Sequence, residues 1–290
     1  MALESELQLN GKDEGELHRS FYGSLLETMP ELRAEDRLPA SMAYVMKRRL
    51  HAPAEVLPAW RENYVFTADS AKYDGKGAVK IVLDDPALLT LNLRSYLNDG
   101  ALGHTLQDWE NLSGKKVLYL SKDAVLDLQG KGYVKEEYSG KYIPQSSDVE
   151  KFWNFVSRGE VDIDEYVKMV GKAAKGNLKL MRISFDLDTS TTSVGRSLVL
   201  GRFGGCSSAY GNYYLDSGVG RLVGVAPEAQ VSDAQMSETL VRQEEPLVIT
   251  PENFDRNPLP GQRIFDPSEL EYARRLLDGA PSGNVTDWKR

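Results

Sequence analysis

Apolar positions recur first at helical and then at strand spacing along this chain. Glu16, Leu17, Phe21, Tyr22, Leu25 and Leu26 predict a helix that Met29-Pro30 stops. A second helix begins near Pro39 and Ala40, carries Met42, Tyr44, Val45 and Met46, and ends by His51-Ala52-Pro53. Lys47, Arg48 and Arg49 form its last turn, where cations suit the negative end of the helix dipole and are expected to be solvated. From Asn63 to Asp84 the pattern becomes strand, turn, strand, with Asp74-Gly75 as the hairpin signal. Val117 to Leu120 reads as a short buried strand, and residues 121–145 as turn-rich. Asp148 is expected to cap a helix through Phe152, Trp153, Phe155 and Val156, closed by Gly159. Another helix runs from Ile163 to Ala174 and ends at Gly176. Ile183, Phe185 and Leu187 then alternate onto one face of a strand.

The stretch from Arg196 to Val225 is of a different kind. Its ends are strands, Ser197 to Leu200 and Arg221 to Val225, both β-prone and apolar. Between them lies a segment of Gly, Ser, Tyr, Asn and Asp with one Cys. Glycine opens backbone angles that other residues avoid, and tyrosine gives a large amphipathic surface at small entropic cost. Antibody binding loops use the same alphabet. The plainer reading is a Gly-rich connection between two core strands. Against it stands an omission: from Arg182 to Pro227 there is no Lys, Glu, Gln, Met or Trp.

That omission, with the framing motifs R-S-L-V-L-G-R-F and G-V-G-R-L-V-G-V, resembles the variable region of the diversity-generating retroelement variable proteins. In that family, reverse transcription randomises adenines in Asn codons. Such codons never become Lys, Glu, Gln, Met or Trp, and every residue from Arg202 to Val219 lies in the reachable set. The resemblance implies an α+β, C-type-lectin-like mixed fold with an irregular sheet and long loops, preceded by N-terminal helices. The corresponding divisions are an N-terminal helical segment over 1–60, the lectin-like domain over 61–230 and a C-terminal extension over 231–290. It further implies a display protein whose hypervariable loop recognises a protein or cell-surface target. The ligand-binding set is Arg202, Phe203, Gly204, Cys206, Ser207, Ser208, Tyr210, Asn212, Tyr213, Tyr214, Asp216, Ser217 and Val219. Tyr210, Tyr213 and Tyr214 are its expected anchors, with Arg202 or Phe203 as further ones. Ser207, Ser208, Asn212, Asp216 and Ser217 would make adaptable polar contacts. Leu198, Leu200, Leu215 and Leu222 with glycines 201, 218, 220 and 224 would be the frame. Tyr213 and Tyr214, being adjacent, should point to opposite faces of an extended segment. Family members often end soon after this region. Here some sixty residues follow, including a proline-bracketed arm and a helix from Pro267 to Leu277.

Composition narrows the chemistry. The chain has 290 residues, 43 acidic and 35 basic, for a formal charge of −8, which argues against wholesale nucleic-acid binding. No apolar run approaches the roughly 20 residues needed to span a bilayer, and the acidic N-terminus lacks the order of a signal peptide. Synthesis in the cytoplasm is expected, with the final location unknown and virion and cell surface among the options. His18, His51 and His104 are scattered singly and Cys206 is alone, so no zinc motif and no disulfide framework is expected. No nucleotide loop, EF-hand or sugar-binding calcium motif is present. The expectation is a binding protein, not an enzyme, without a cofactor. The alternatives are an enzyme of unrecognised type with a Gly-rich substrate loop, and a structural virus or phage component.

Overall fold

A computed structural model describes residues 17–91, 97–98, 100–174, 179–187, 193–218 and 220–227. The chain divides into two compact units, Met1–Ser237 and Glu238–Arg290. The second unit, with the expected arm and final helix, lies outside the described residues, as do Gly176 and Val219.

The first unit opens with β1 (His18–Tyr22), α1 (Leu25–Ala34), β2 (Leu38–Pro39), α2 (Met42–His51) and α3 (Leu57–Arg61). There follow β3 (Val65–Tyr73), β4 (Val79–Val82), α4 (Pro86–Leu89), β5 (Leu97–Asn98), β6 (Ala101–Gly103) and α5 (Leu106–Asn111). Next come β7 (Val117–Leu120), α6 (Lys122–Leu128), β8 (Tyr133–Lys135), β9 (Tyr142–Pro144), α7 (Ser147–Val156) and α8 (Ile163–Ala173). The last described strands are β10 (Lys179–Leu180), β11 (Ile183–Ser184), β12 (Val194–Leu200), β13 (Ala209–Tyr213) and β14 (Arg221–Val225).

The α+β expectation holds. The main sheet runs β1-β14-β3-β12-β13-β11, with β4 and β7 continuing from β3, and β6 and β5 from β12. Its pairs are mostly antiparallel, but β14 runs parallel to β3 and β11 parallel to β13. A small sheet, β10-β8-β9, sits apart. Every residue of β3, β12 and β14 is buried. Successive side chains on a strand point to opposite faces, so strands covered on both sides read as unbroken apolar runs. Leu198, Leu200 and Val223 join the larger core with Trp60, Phe152, Trp153 and Tyr166. Val199 and Leu222 point the other way, into a smaller core with Phe21, Leu25, Met29 and Phe66.

The beginning of the chain differs from the expectation. The single helix from Glu16 is two elements, a strand and then α1. Phe21 pairs opposite Leu222, and helix starts only after Ser24, whose capping box engages Glu27. Phe21, Leu25 and Met29 still share a core, which is why their spacing mimicked one helix. Pro30 lies inside α1 rather than ending it. Because β1 and β2 both pair with β14, the residues before 60 belong to the same sheet as those after it. The turn-rich segment 121–145 contains α6, β8 and β9. Leu187 is exposed, since the strand at Ile183 stops after Ser184. Ser146, not Asp148, occupies the N-cap of α7.

Candidate functional site

The stretch between β12 and β14 is not one loop. Its first part, Arg202 to Ser208, is a tight corner pressed into the protein. Phe203, Cys206, Ser207 and Ser208 are all buried. Carbonyls turn inward on themselves: the Gly205 and Ser207 amides donate to the Arg202 carbonyl, and the Cys206 amide to that of Phe203. Cys206 and Ser207 take left-handed backbone angles, φ 77° and 50°, which cost non-glycine residues energy unless their surroundings enforce them.

The enforcing group is Arg49, wholly buried at the end of α2. Its Nη1 donates to the Gly201 carbonyl at 2.7 Å and to Ser207 Oγ at 3.0 Å. Its Nε reaches the Trp60 carbonyl at 2.8 Å and its Nη2 the Asn63 carbonyl at 3.0 Å. Tyr166 Oη lies 2.7 Å from Ser207 Oγ and fixes the hydroxyl from the other side. Arg61 donates to the Arg49 carbonyl and lies over the Phe203 ring, 4.8 Å from its centroid. Burial pushes the Arg61 guanidinium down, with Tyr166 opposing. The expectation that the basic turn of α2 is solvated therefore fails at Arg49. A buried guanidinium with its fork satisfied by carbonyls is a positioning device for backbone.

The second part is β13, which the sequence pattern did not predict. It lies between β12 and β11. Ala209 and Gly211 face the larger core. A β-carbon on Gly211 would stand 2.9 Å from the Phe185 ring, and Tyr73 Oη donates to the Gly211 carbonyl at 2.7 Å. Burial pushes the Tyr73 hydroxyl well above its ordinary pKa.

Tyr210 and Tyr213 are three apart, so an unbroken strand would place them on opposite faces. The register shifts between them: Ser197 pairs with Tyr213, but Val199 pairs with Tyr210. One extra residue in β13 re-aims Tyr213 onto the side of Tyr210. Their rings meet at 5.7 Å. Tyr64, just before β3, completes a trio at 6.0 Å from Tyr210 and 6.1 Å from Tyr213. The three are half-buried and seated on the smaller core, where Phe66 meets Tyr213 edge-on at 6.3 Å. Burial raises the Tyr213 pKa, and the neighbouring phenols of Tyr64 and Tyr210 add to it.

Tyr214 points elsewhere, as its adjacency to Tyr213 predicts. It is 45% exposed and stacks on the Arg196 guanidinium at 4.2 Å, which is itself held by Asp186 at 2.8 Å. Leu215 is buried and anchors the return: its amide donates to the Gly100 carbonyl, and its carbonyl accepts from the Leu25 amide. Gly100, at φ 65°, has no room for a side chain beside the Tyr214 ring.

The thirteen expected binding residues thus separate. Phe203, Cys206, Ser207 and Ser208 belong to the buried corner and offer no surface, a correction set by burial. Arg202, Gly204, Tyr214 and Asp216 are exposed, and Tyr210, Asn212, Tyr213 and Ser217 are partly so. The four framing leucines are all buried. Tyr64 and Arg49 were missed, because nothing local marks a tyrosine ahead of a strand as a partner of residues 210 and 213, or one arginine of three as buried. Among the described residues, no group of His, Cys, Asp and Glu could hold a metal ion. None of the described helices is long and apolar enough to cross a membrane.

No family profile and no curated protein matches the chain. A solved structure resembles it. The likeness has a TM-score of 0.48 and 16% identity, over 75% of this chain and all of that one. That structure is described as the accommodation of massive sequence variation in Nanoarchaeota by the C-type lectin fold. The likeness carries no argument about what this chain binds.

Proposed function

We propose that this chain is a binding protein that presents the unburied residues between 202 and 218 to a macromolecular target, on a scaffold built to tolerate replacement of the exposed ones. The observation that carries this reading is the division within the stretch. Buried Phe203, Cys206, Ser207, Ser208, Ala209, Gly211 and Leu215 are interspersed with exposed Arg202, Gly204, Tyr214 and Asp216 and with half-buried Tyr210, Asn212 and Tyr213. Inward groups are locked by Arg49, Tyr166 and Tyr73, while outward groups rest on two wholly buried strands. Changes at exposed positions typically shift stability by less than about 0.5 kcal/mol, so such a surface varies without endangering the fold. Tyr and Asn then serve as anchor and adaptable contact. The target is a protein or cell-surface structure, contacted without chemistry or cofactor.

Diversification by a retroelement is part of the proposal. The coding DNA tests it. A near-repeat of codons 196–225 should lie near the gene, with a reverse transcriptase gene beside it and differences mainly at adenines. Those differences should fall on codons 202, 204, 210, 212–214 and 216 and spare 203, 207 and 215. Absence of the near-repeat, or differences spread evenly over buried and exposed codons, would contradict the diversification.

A further inference from the structure

We infer that the core beside Trp60 binds a chloride ion, held by Arg221 together with the indole of Trp60 and the side-chain amide of Asn63. The inference is independent of what the stretch from 202 to 218 contacts. Arg221 opens β14 and is only 1% exposed, so its charge is taken out of water. None of its three guanidinium nitrogens meets an acceptor in hydrogen-bond geometry. Burial pushes the guanidinium pKa down to about 10; the hydroxyl of Tyr22, opposite it on β1, opposes this, and Arg49 adds to it. Among the described residues, Arg49, Arg61 and Arg221 form no ion pair with a carboxylate. An unanswered charge at this depth is costly, and buried charges are as a rule paired or coordinated.

The donors are neighbours. The Arg221 guanidinium lies 5.7 Å from the Trp60 ring centroid, and the Arg221 amide donates to the carbonyl of Tyr64, next to Asn63. Arg49 ties the same two residues together through the Trp60 and Asn63 carbonyls. Trp60 Nε1 and Asn63 Nδ2 are buried and lack an acceptor as well. Unpartnered donors also occur on Arg37 and Arg158, but there the charge is already answered, by Glu35 and by Asp69 with Asp84. Beside Trp60 the donors and the unanswered charge coincide. A water molecule would accept from these groups and leave the charge uncompensated; an anion answers both. Size selects further. Arg49 and Trp60 are wholly buried and Arg221 nearly so, which favours a single-atom anion over sulfate, phosphate or a carboxylate, whose further oxygens would need partners of their own.

The test is the melting temperature of the full chain in sodium chloride against sodium gluconate at equal ionic strength. Chloride should raise it saturably by a few degrees, as an ion that binds only the folded state does. Bromide should substitute for chloride, and crystals grown in bromide should show an anomalous peak beside Arg221 and Trp60. Arg221→Met, which removes the unanswered charge and keeps an apolar stem, should fold and melt alike in the two salts. Trp60→Phe, which keeps a ring and removes one donor, should raise the chloride concentration for half the effect about fivefold. General effects of salt on hydration act on wild type and variant alike, so the difference between them isolates the site. Equal wild-type melting temperatures in the two salts, a chloride effect that persists in Arg221→Met, or bromide peaks only at the surface would overturn the inference. Where Arg221→Met does not fold, the bromide map decides. None of these outcomes bears on the display reading, which rests on residues 202–218.

Discussion

Arg49 is a wholly buried cation that meets only neutral acceptors among the described residues, and its value is geometric. One planar fork ties the end of α3, the residue before Tyr64 and the start of the corner at Gly201. Arg49→Met should cost about 3–5 kcal/mol in urea denaturation, because the buried Trp60 and Gly201 carbonyls, the part-buried Asn63 carbonyl and Ser207 lose this donor together. Arg49→Lys should recover little, since a single ammonium cannot span the fork. A variant with unchanged stability would show that the corner holds its shape without the arginine. Arg49 was hidden in the sequence by its neighbours: K-R-R at a helix end is usually solvated, and no local signal separates the buried member. The trio failed to show for a related reason. Tyr210 and Tyr213 share a face only through the register shift against β12, and a bulge depends on the partner strand.

Among the elements, the hairpin of β3 and β4 was readable because β-branched runs flank Asp74-Gly75; Asp74 Oδ1 accepts the Lys76 and Ala78 amides there. β14 matched to the residue, having an apolar run closed by glycines. β13 was opaque, since A-Y-G-N-Y has the composition of a binding loop and is a strand only because β11 and β12 flank it. Beside these strands, Asp69 and Asp84 share Arg158 and join α2, the end of β4 and the end of α7. Burial pushes the Asp69 carboxyl up, against the pull of Arg158. Burial also pushes Asp84 upward, but hydrogen bonds and charge from Arg158 and Lys116 outweigh it and hold the group below its ordinary pKa. With a folded pKa below the unfolded one, Asp84 contributes stability above the unfolded value, roughly 3.9, and loses it as pH falls through the folded value. Asp69 has the opposite sign, so its burial cost is relieved as pH falls. Asp84→Asn should therefore flatten the acid side of a plot of urea midpoint against pH. An unchanged acid slope in that variant would remove Asp84 from the account.

At the scale of the whole unit, a sheet covered on both faces carries a stretch whose residues are buried at some positions and exposed at others. β3, β12 and β14 supply rigidity, the corner at Phe203 and Ser207 locks the stretch to the larger core, and the return through Leu215 locks it to the smaller one. What remains outward between these locks is the proposed binding surface. The decisive measurement is the melting temperature of combined variants. Simultaneous replacement of the exposed Arg202, Gly204 and Asp216 with other residues from the same reachable set should leave the melting temperature within a few degrees, each exposed change being worth less than about 0.5 kcal/mol. Phe203→Ala alone, a large-to-small change in the locked corner, should cost about 3–5 kcal/mol. If the combined surface variant unfolds as readily as Phe203→Ala, the stretch is part of the core and the chain does not display it.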